Sequence, residues 1–91
     1  MNFEWDWKKA QSNLGKHGVS FEEATTVFDD PMALTFDDPD HSTGEQRLLT
    51  FGSSEMDNLL LVSHTELDEG TIRIISARTM TRHERKIYQD G

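Results

Sequence analysis

The run Leu59 to Thr65 constrains the fold more than any other part of the chain. It is β-type in composition and apolar on both alternation parities, the pattern of a strand in the middle of a sheet. Three other segments read as strands: Met32 to Phe36, Arg47 to Phe51 and Ile72 to Arg78. Gly52-Ser53-Ser54 and Asp68-Glu69-Gly70 punctuate them, and such short connections favour consecutive antiparallel pairing. Phe3 to Trp5 also alternates and reads as a short edge strand.

Helical spacing brackets these strands. Trp7, Ala10 and Leu14 follow Asp6 as an N-cap, and Lys16-His17-Gly18 supplies cations for a last turn and a glycine to end it. Ser20-Phe21-Glu22-Glu23 is a capping box, with Val19 and Ala24 at the staple positions. The helix it opens carries Phe21, Ala24 and Phe28 on one face and stops before Asp29-Asp30-Pro31. Thr81-Arg82-His83-Glu84 is a second capping box, opening a helix over Arg82 to Gln89. The expected class is α+β: an antiparallel sheet of about four strands, two N-terminal helices and one C-terminal helix, with the helices on one face. Trp5 and Trp7 are expected in the core. No repeat or linker divides residues 1–91, which are expected to form one domain.

Composition narrows the function classes. There is no cysteine, which excludes disulfides and thiolate metal sites and suits the cytoplasm. No apolar run approaches the roughly 20 residues of a membrane helix, and the N-terminus MNFEWDWKK has no apolar signal core. The net charge of -8 argues against non-specific nucleic-acid binding by the whole surface. The charge is segregated, however. Glu22 to Glu69 holds thirteen acids and one base, Arg47, whereas Gly70 to Gly91 holds Arg73, Arg78, Arg82, Arg85 and Lys86 against Glu84 and Asp90. Residues 1–21 add Lys8, Lys9 and Lys16 against Glu4 and Asp6. Positive charge is concentrated at the two ends, and the working surface is expected around Ile72 to Tyr88.

Several stretches resemble the BrnT family, the toxin halves of bacterial type II toxin–antitoxin pairs. They are Phe3-x-Trp5-Asp6, Lys9-x-x-x-Asn13-x-x-Lys16-His17-Gly18-Val19-Ser20-Phe21-Glu22-Glu23-Ala24, Val27-Phe28-x-Asp30-Pro31, Glu45-x-Arg47, Gly52-x-Ser54, and Ile72-Arg73-Ile74-Ile75-Ser76-Ala77-Arg78 followed by Glu84 and Tyr88. The resemblance implies a RelE-like fold and a ribonuclease that arrests translation, with RNA as substrate. It further implies neutralisation by a BrnA-type antitoxin, whose ribbon-helix-helix half binds DNA and represses the shared operon. DNA would then be reached only through the antitoxin, and no membrane, metal or cofactor is called for.

RNA cleavage without metal needs a base for the 2′-OH proton, a cation for the phosphorane and an acid for the leaving oxygen. Arginine suits the cationic role because its planar fork matches phosphate oxygens and stays charged. In a regular strand Arg73 and Arg78 point to opposite faces, so one of them is expected to be structural. Arg78, at the strand end before the last helix, is the first candidate for the site; Arg47 is the second, and Arg82 lies in the first turn of that helix. An ion-pair or surface role is the simpler alternative for each. His17, at a helix end, is a phosphate-binding candidate or merely a cap. His64 shares parity with Leu60 and Val62 and reads as a partly buried, satisfied histidine; His83 is expected exposed, and His41 sits in a polar loop. Tyr88, four residues after Glu84, is a candidate for base stacking or proton transfer, or else packs its helix onto the sheet. Lys9 and Lys16 share a helix face and, with Arg85, are candidates for gripping RNA backbone. The acidic stretch Asp37 to Glu45 fails as a calcium loop, because a loop begun at Asp38 puts Thr43 at the glycine position and Leu49 at the glutamate position. Two other functions compete with a ribonuclease: a toxin-like binding module that only pairs with an antitoxin-type partner, and an acid-rich nucleic-acid mimic, which the basic ends do not suit.

Overall fold

The computed structural model describes residues 1–41, 46–68 and 70–90, the side chain of His41 excepted. Residues 42–45, the end of the acidic stretch with Glu45, lie outside the described residues, as does Glu69 of the turn before the last strand. The chain order is β1 (Asn2–Glu4), α1 (Trp7–His17), α2 (Phe21–Thr26), β2 (Leu34–Asp37), β3 (Leu48–Ser53), β4 (Leu59–Glu66), β5 (Thr71–Thr79) and α3 (Arg82–Asp90), with 3-10 turns at Val27–Asp29 and Pro39–His41.

The helix ends follow their capping chemistry with one exception. Asp6 accepts from the backbone N–H groups of Lys8 and Lys9, and Gly18 closes α1 at φ 70°, donating to the Leu14 carbonyl. Such a positive φ costs glycine nothing. Ser20 accepts from Glu23 N at 3.0 Å, but Glu23 does not reach back. Its Oε2 takes Ser54 Oγ and Asn58 Nδ2 instead, each at 2.7 Å, so the expected box has one arm and the other ties α2 to the β3–β4 turn. The second box is complete: Thr81 N donates to Glu84 Oε1, and Glu84 N to Thr81 Oγ1. Helix α2 ends earlier than expected, and the 3-10 turn carries Phe28 onward to Asp30.

The sheet has five strands in the order β1-β5-β4-β3-β2, with β4 central. β2 to β5 pair antiparallel as their short connections require. The four-stranded antiparallel expectation is corrected at the other edge, where β1 joins parallel to β5 through Asn2↔Thr71, Phe3↔Ile72 and Glu4↔Arg73. A parallel pair needs a long connection, and here nearly the whole chain lies between the partners, so short-loop logic cannot find it.

Helices cover both faces of this sheet, not one. Under α1 and α2, Leu60, Val62, Ile72, Ile74 and Ala77 pack with Val19, Phe21, Ala24 and Val27 in the main core. Gly52 lets the 3-10 turn come close: a Cβ there would stand 2.6 Å from Val27 Cγ1. On the opposite face Phe51, Leu61 and Met80 form a second core, closed by Ile87 and Tyr88 of α3. Trp5 is half-buried against Phe21, but Trp7 is 61% exposed, contrary to expectation. Trp7 is the first residue of α1 and its side chain falls outside the stripe that faces the sheet, of which Ala10 and Asn13 are part.

Candidate phosphate-binding cleft

The site is set by an irregularity in β5. Ser63 pairs with Ser76 but His64 pairs with Ile74, so Ile75 is an extra residue and the strand bulges there. A bulge shifts the phase of the alternation. Ile72 and Ile74 before it, and Ala77 after it, all enter the main core. Arg73 and Arg78 therefore share the opposite face, and the expectation that they point apart is corrected. Arg73 nevertheless stands beside β1, opposite Thr65 and Glu4, at the far end from Arg78.

Asn13 holds the bulged strand from its edge. Its Nδ2 donates to the Ala77 carbonyl at 2.8 Å and to the Val19 carbonyl at 3.0 Å, while its Oδ1 accepts from Ala77 N at 3.1 Å. One side-chain amide thus pairs with both backbone groups of Ala77, as a neighbouring strand would. Sequence reasoning gave Asn13 no role. The available signal was an amide residue in a helix interior, where asparagine is a poor former and needs a compensating partner.

Beyond the second core, the face of the sheet opens into a cleft of about 280 Å³. Arg47, Arg78, Ser63 and Ser76 line it together with Asp38 and Asp40. The first two site candidates, Arg47 just before β3 and Arg78 in β5, are thus brought together. Ile75 and Ser76 also line a smaller cleft of about 200 Å³, whose other wall is α1 with Lys9, Lys16 and His17. The two clefts meet at the bulge. His17, Lys9 and Lys16 are all exposed there, on the same side of α1 as Asn13.

The remaining candidates stand apart. Arg82, His83 and Arg85 are exposed on α3 and line neither cleft. Tyr88 donates to Asp30 Oδ2 at 2.5 Å, an oxygen that also accepts from Ser53 N. That hydrogen bond, with burial and the Asp30 charge, pushes the Tyr88 phenol up to about 12. Burial works to raise the Asp30 carboxyl, but hydrogen bonds from Tyr88, Ser53 and Met32 outweigh it and leave the carboxyl below its ordinary value. Tyr88 thus packs and tethers α3.

Arg78 is itself engaged. Its Nη1 and Nη2 donate to Glu84 Oε1 and Oε2 at 2.7 and 2.9 Å, and Nη1 also donates to the Thr79 carbonyl. The hydrogen bond with Glu84 raises the guanidinium further above its ordinary value and lowers the Glu84 carboxyl. His64 is not the fully satisfied histidine expected. Its Nε2 meets Thr50 Oγ1 at 2.7 Å, its ring stands edge-on to Phe28, and its buried Nδ1 has no partner among the described residues. Burial pushes it down to about 4. Among the described residues no group of three or more His, Asp or Glu side chains is placed to hold a metal ion, and no helix is long and apolar enough to cross a membrane.

Comparison with known proteins bears on the fold and the family. No curated protein sequence matches the chain. Its fold is similar to the crystal structure of the Brucella abortus ribonuclease toxin BrnT, with a TM-score of 0.69 and 24% identity over 90% of this chain and 99% of that one. Residues 5–84 match the family described as ribonuclease toxin, BrnT, of type II toxin-antitoxin system. The chain therefore belongs to the BrnT ribonuclease toxins, a family whose members are paired with an antitoxin.

Proposed function

We propose that this toxin is a metal-independent endoribonuclease that cleaves RNA at the bulge of β5 and so arrests translation, in the manner of RelE-type enzymes. The observation that carries this is the convergence of Arg47 and Arg78 on one cleft. Two guanidinium groups around one phosphate supply the charge that a phosphorane requires, and fixed cations act most strongly where water is partly excluded. Asp38 and Asp40 are the carboxylates lining the same cleft, and a carboxylate there would take up the 2′-OH proton. The adjoining cleft, with Lys9, Lys16 and His17, is where the strand leading away from the scissile phosphate would lie. Seryl hydroxyls of Ser63 and Ser76 line the same cleft and can donate to non-bridging oxygens. Arg82 and Arg85, exposed on α3, add long-range attraction.

The antitoxin partner is proposed to be of the BrnA type, with a ribbon-helix-helix half that carries DNA binding, and the pair to work in the cytoplasm. Thirteen acids between Glu22 and Glu69 give this chain a surface that attracts a basic segment of such a partner.

A non-catalytic binding module is the competing function, and one observation favours it: two acids line the cleft and a third acid, Glu84, already occupies Arg78. Purified protein in a cell-free translation extract separates the two. The ribonuclease stops synthesis and yields discrete RNA fragments, and Arg78→Ala restores synthesis. Intact RNA and undiminished synthesis at micromolar toxin, beside a tight complex with the product of the adjacent reading frame, would leave only the binding module.

A further inference from the structure

The guanidinium group of Arg78 has two edges that can grip an oxyanion: the end formed by Nη1 and Nη2, and the side formed by Nε and Nη2. Glu84 takes the end, with one carboxylate oxygen on each nitrogen, and the Thr79 carbonyl takes the second hydrogen of Nη1. Among the described residues Nε has no hydrogen-bond partner. Arg78 lines the cleft and Glu84 does not, and the Nε–Nη2 side is the edge of the guanidinium that Glu84 leaves open. Glu84 is itself fixed. Its Oε1 also accepts from Thr81 N, its own N–H donates to Thr81 Oγ1, and its side chain is 17% exposed against 37% for that of Arg78.

We infer that Glu84 is the positioning residue of this site: it clamps Arg78 end-on, so that the Nε–Nη2 side is presented to the RNA phosphate. The inference rests on the ribonuclease proposed above and names how its first arginine is aimed. A long arginine side chain loses much rotamer freedom when it must grip a phosphate. Holding the fork beforehand removes that cost from the transition state. The carboxylate does not compete with phosphate, because the two use different edges. Charge-based reasoning alone gives the opposite expectation, that Glu84 is an internal phosphate mimic which inhibits the enzyme. The two accounts differ in sign.

The test uses the full-length toxin, a single-stranded RNA, and the same oligonucleotide with 2′-deoxy sugars, which binds without being cleaved. Glu84→Gln keeps one acceptor for Thr81 N and loses the charge and one oxygen acceptor. It is expected to lower kcat on the order of tenfold to a hundredfold with a smaller change in KM, as misaimed catalytic groups do. Glu84→Asp is expected to recover part of that loss. In the wild type the Arg78 Nε–H resonance shifts when the deoxy oligonucleotide is added, and in Glu84→Gln that shift is lost or much reduced. Thr81→Ala breaks the cap but keeps the ion pair, so it lowers the melting temperature while the Nε–H shift persists; loss of the shift there as well would assign the Glu84→Gln effect to helix damage and overturn the inference. Faster cleavage or tighter oligonucleotide binding by Glu84→Gln overturns it in favour of autoinhibition. An Nε–H resonance that ignores the oligonucleotide in the wild type also overturns it. A wild-type protein that shows the shift, and loses it in Glu84→Gln, yet leaves RNA intact, upholds the positioning role and overturns the ribonuclease alone.

Discussion

Under α1 and α2 the sheet buries Leu60, Val62, Ile72, Ile74 and Ala77, and its buried polar side chains Asn13, Thr50 and His64 bond within the protein. Under α3 a smaller core of Phe51, Leu61 and Met80 is buried, after which the surface turns to Ser63, Ser76, Arg47 and Arg78 and opens into a cleft. Both faces are laid out by one alternation, and what separates them is the extent of cover. Two helices and a 3-10 turn close the first face. The nine residues of α3, none of them fully buried, close part of the second. Burial strengthens electrostatic interactions but makes an unpaired polar group costly, so the half-covered face, where Arg47 and Arg78 line an open cleft, is where cations stay within reach of a ligand. The bulge at Ile75 serves both faces: it keeps Ala77 in the main core and turns Arg78 to the other side.

Function and stability should therefore separate by face, and the largest expected effects test that directly. Arg78→Ala is expected to lower RNA cleavage about a hundredfold to a thousandfold, while costing no more than about 1 kcal/mol of stability, since its partner Glu84 is partly solvated. Phe21→Ala, fully buried in the main core, is expected to cost about 3–5 kcal/mol by urea unfolding. If Arg78→Ala unfolds the protein as readily as Phe21→Ala does, the second face is a core like the first and the comparison fails.

His64 makes the first face sensitive to acid. Its folded value near 4 lies below the ordinary 6.5, so the unfolded chain binds the proton more tightly. Its contribution is fully present above pH 6.5, falls as the pH drops towards about 4, and amounts to at most about 3 kcal/mol. The lowered Asp30 and Glu84 carboxyls add a loss at lower pH still, as their own protonation begins. Stability measured from pH 7 to pH 4 should fall in the wild type and stay flatter in His64→Leu; parallel curves would remove His64 as the cause. Asn13→Leu is expected to cost about 2 kcal/mol, because both backbone groups of Ala77 lose their partner. Faster amide hydrogen exchange at Ala77 would locate that loss at the bulge.

Much of this layout was legible in the residues, and the exceptions have physical causes. Leu59 to Thr65 announced a central strand because it is apolar on both parities, and β4 is central. Both capping boxes marked helix starts, since a cap is a local interaction that neighbours in sequence decide. The parallel partner of β5 was not legible, because nothing local to Phe3 refers to Ile72. Arg47 and Arg78 were found as residue types, yet their meeting in one cleft depends on register across β3, β4 and β5. The bulge itself has no signature in Ile74-Ile75-Ser76. It shows only in the tertiary fact that Ile74 and Ala77 enter the same core. Trp7 was misplaced for the reverse reason: size and hydrophobicity favoured the core, but its position at the start of α1 left it outside.

The smallest expected effect bears on where the second face ends. Tyr88 ties the last turns of α3 to Asp30, and so sets how far the helix covers the sheet. Tyr88→Phe keeps the ring against the second core and removes only the hydroxyl. The Asp30 carboxylate would still accept from Ser53 N and Met32 N, so the cost is expected to be about 1 kcal/mol. In a chain of this size that lowers the melting temperature by about 4–8 °C. Because the phenol is held near 12, it is protonated throughout the neutral range and cannot serve as a ready base there. Hydrogen exchange in α3 should accelerate while the amides of β4 keep their protection. Cleavage that drops a hundredfold in Tyr88→Phe, with α3 as protected as in the wild type, would mean that the hydroxyl reaches RNA. The boundary between the covered and the open part of this face would then lie on α3 itself.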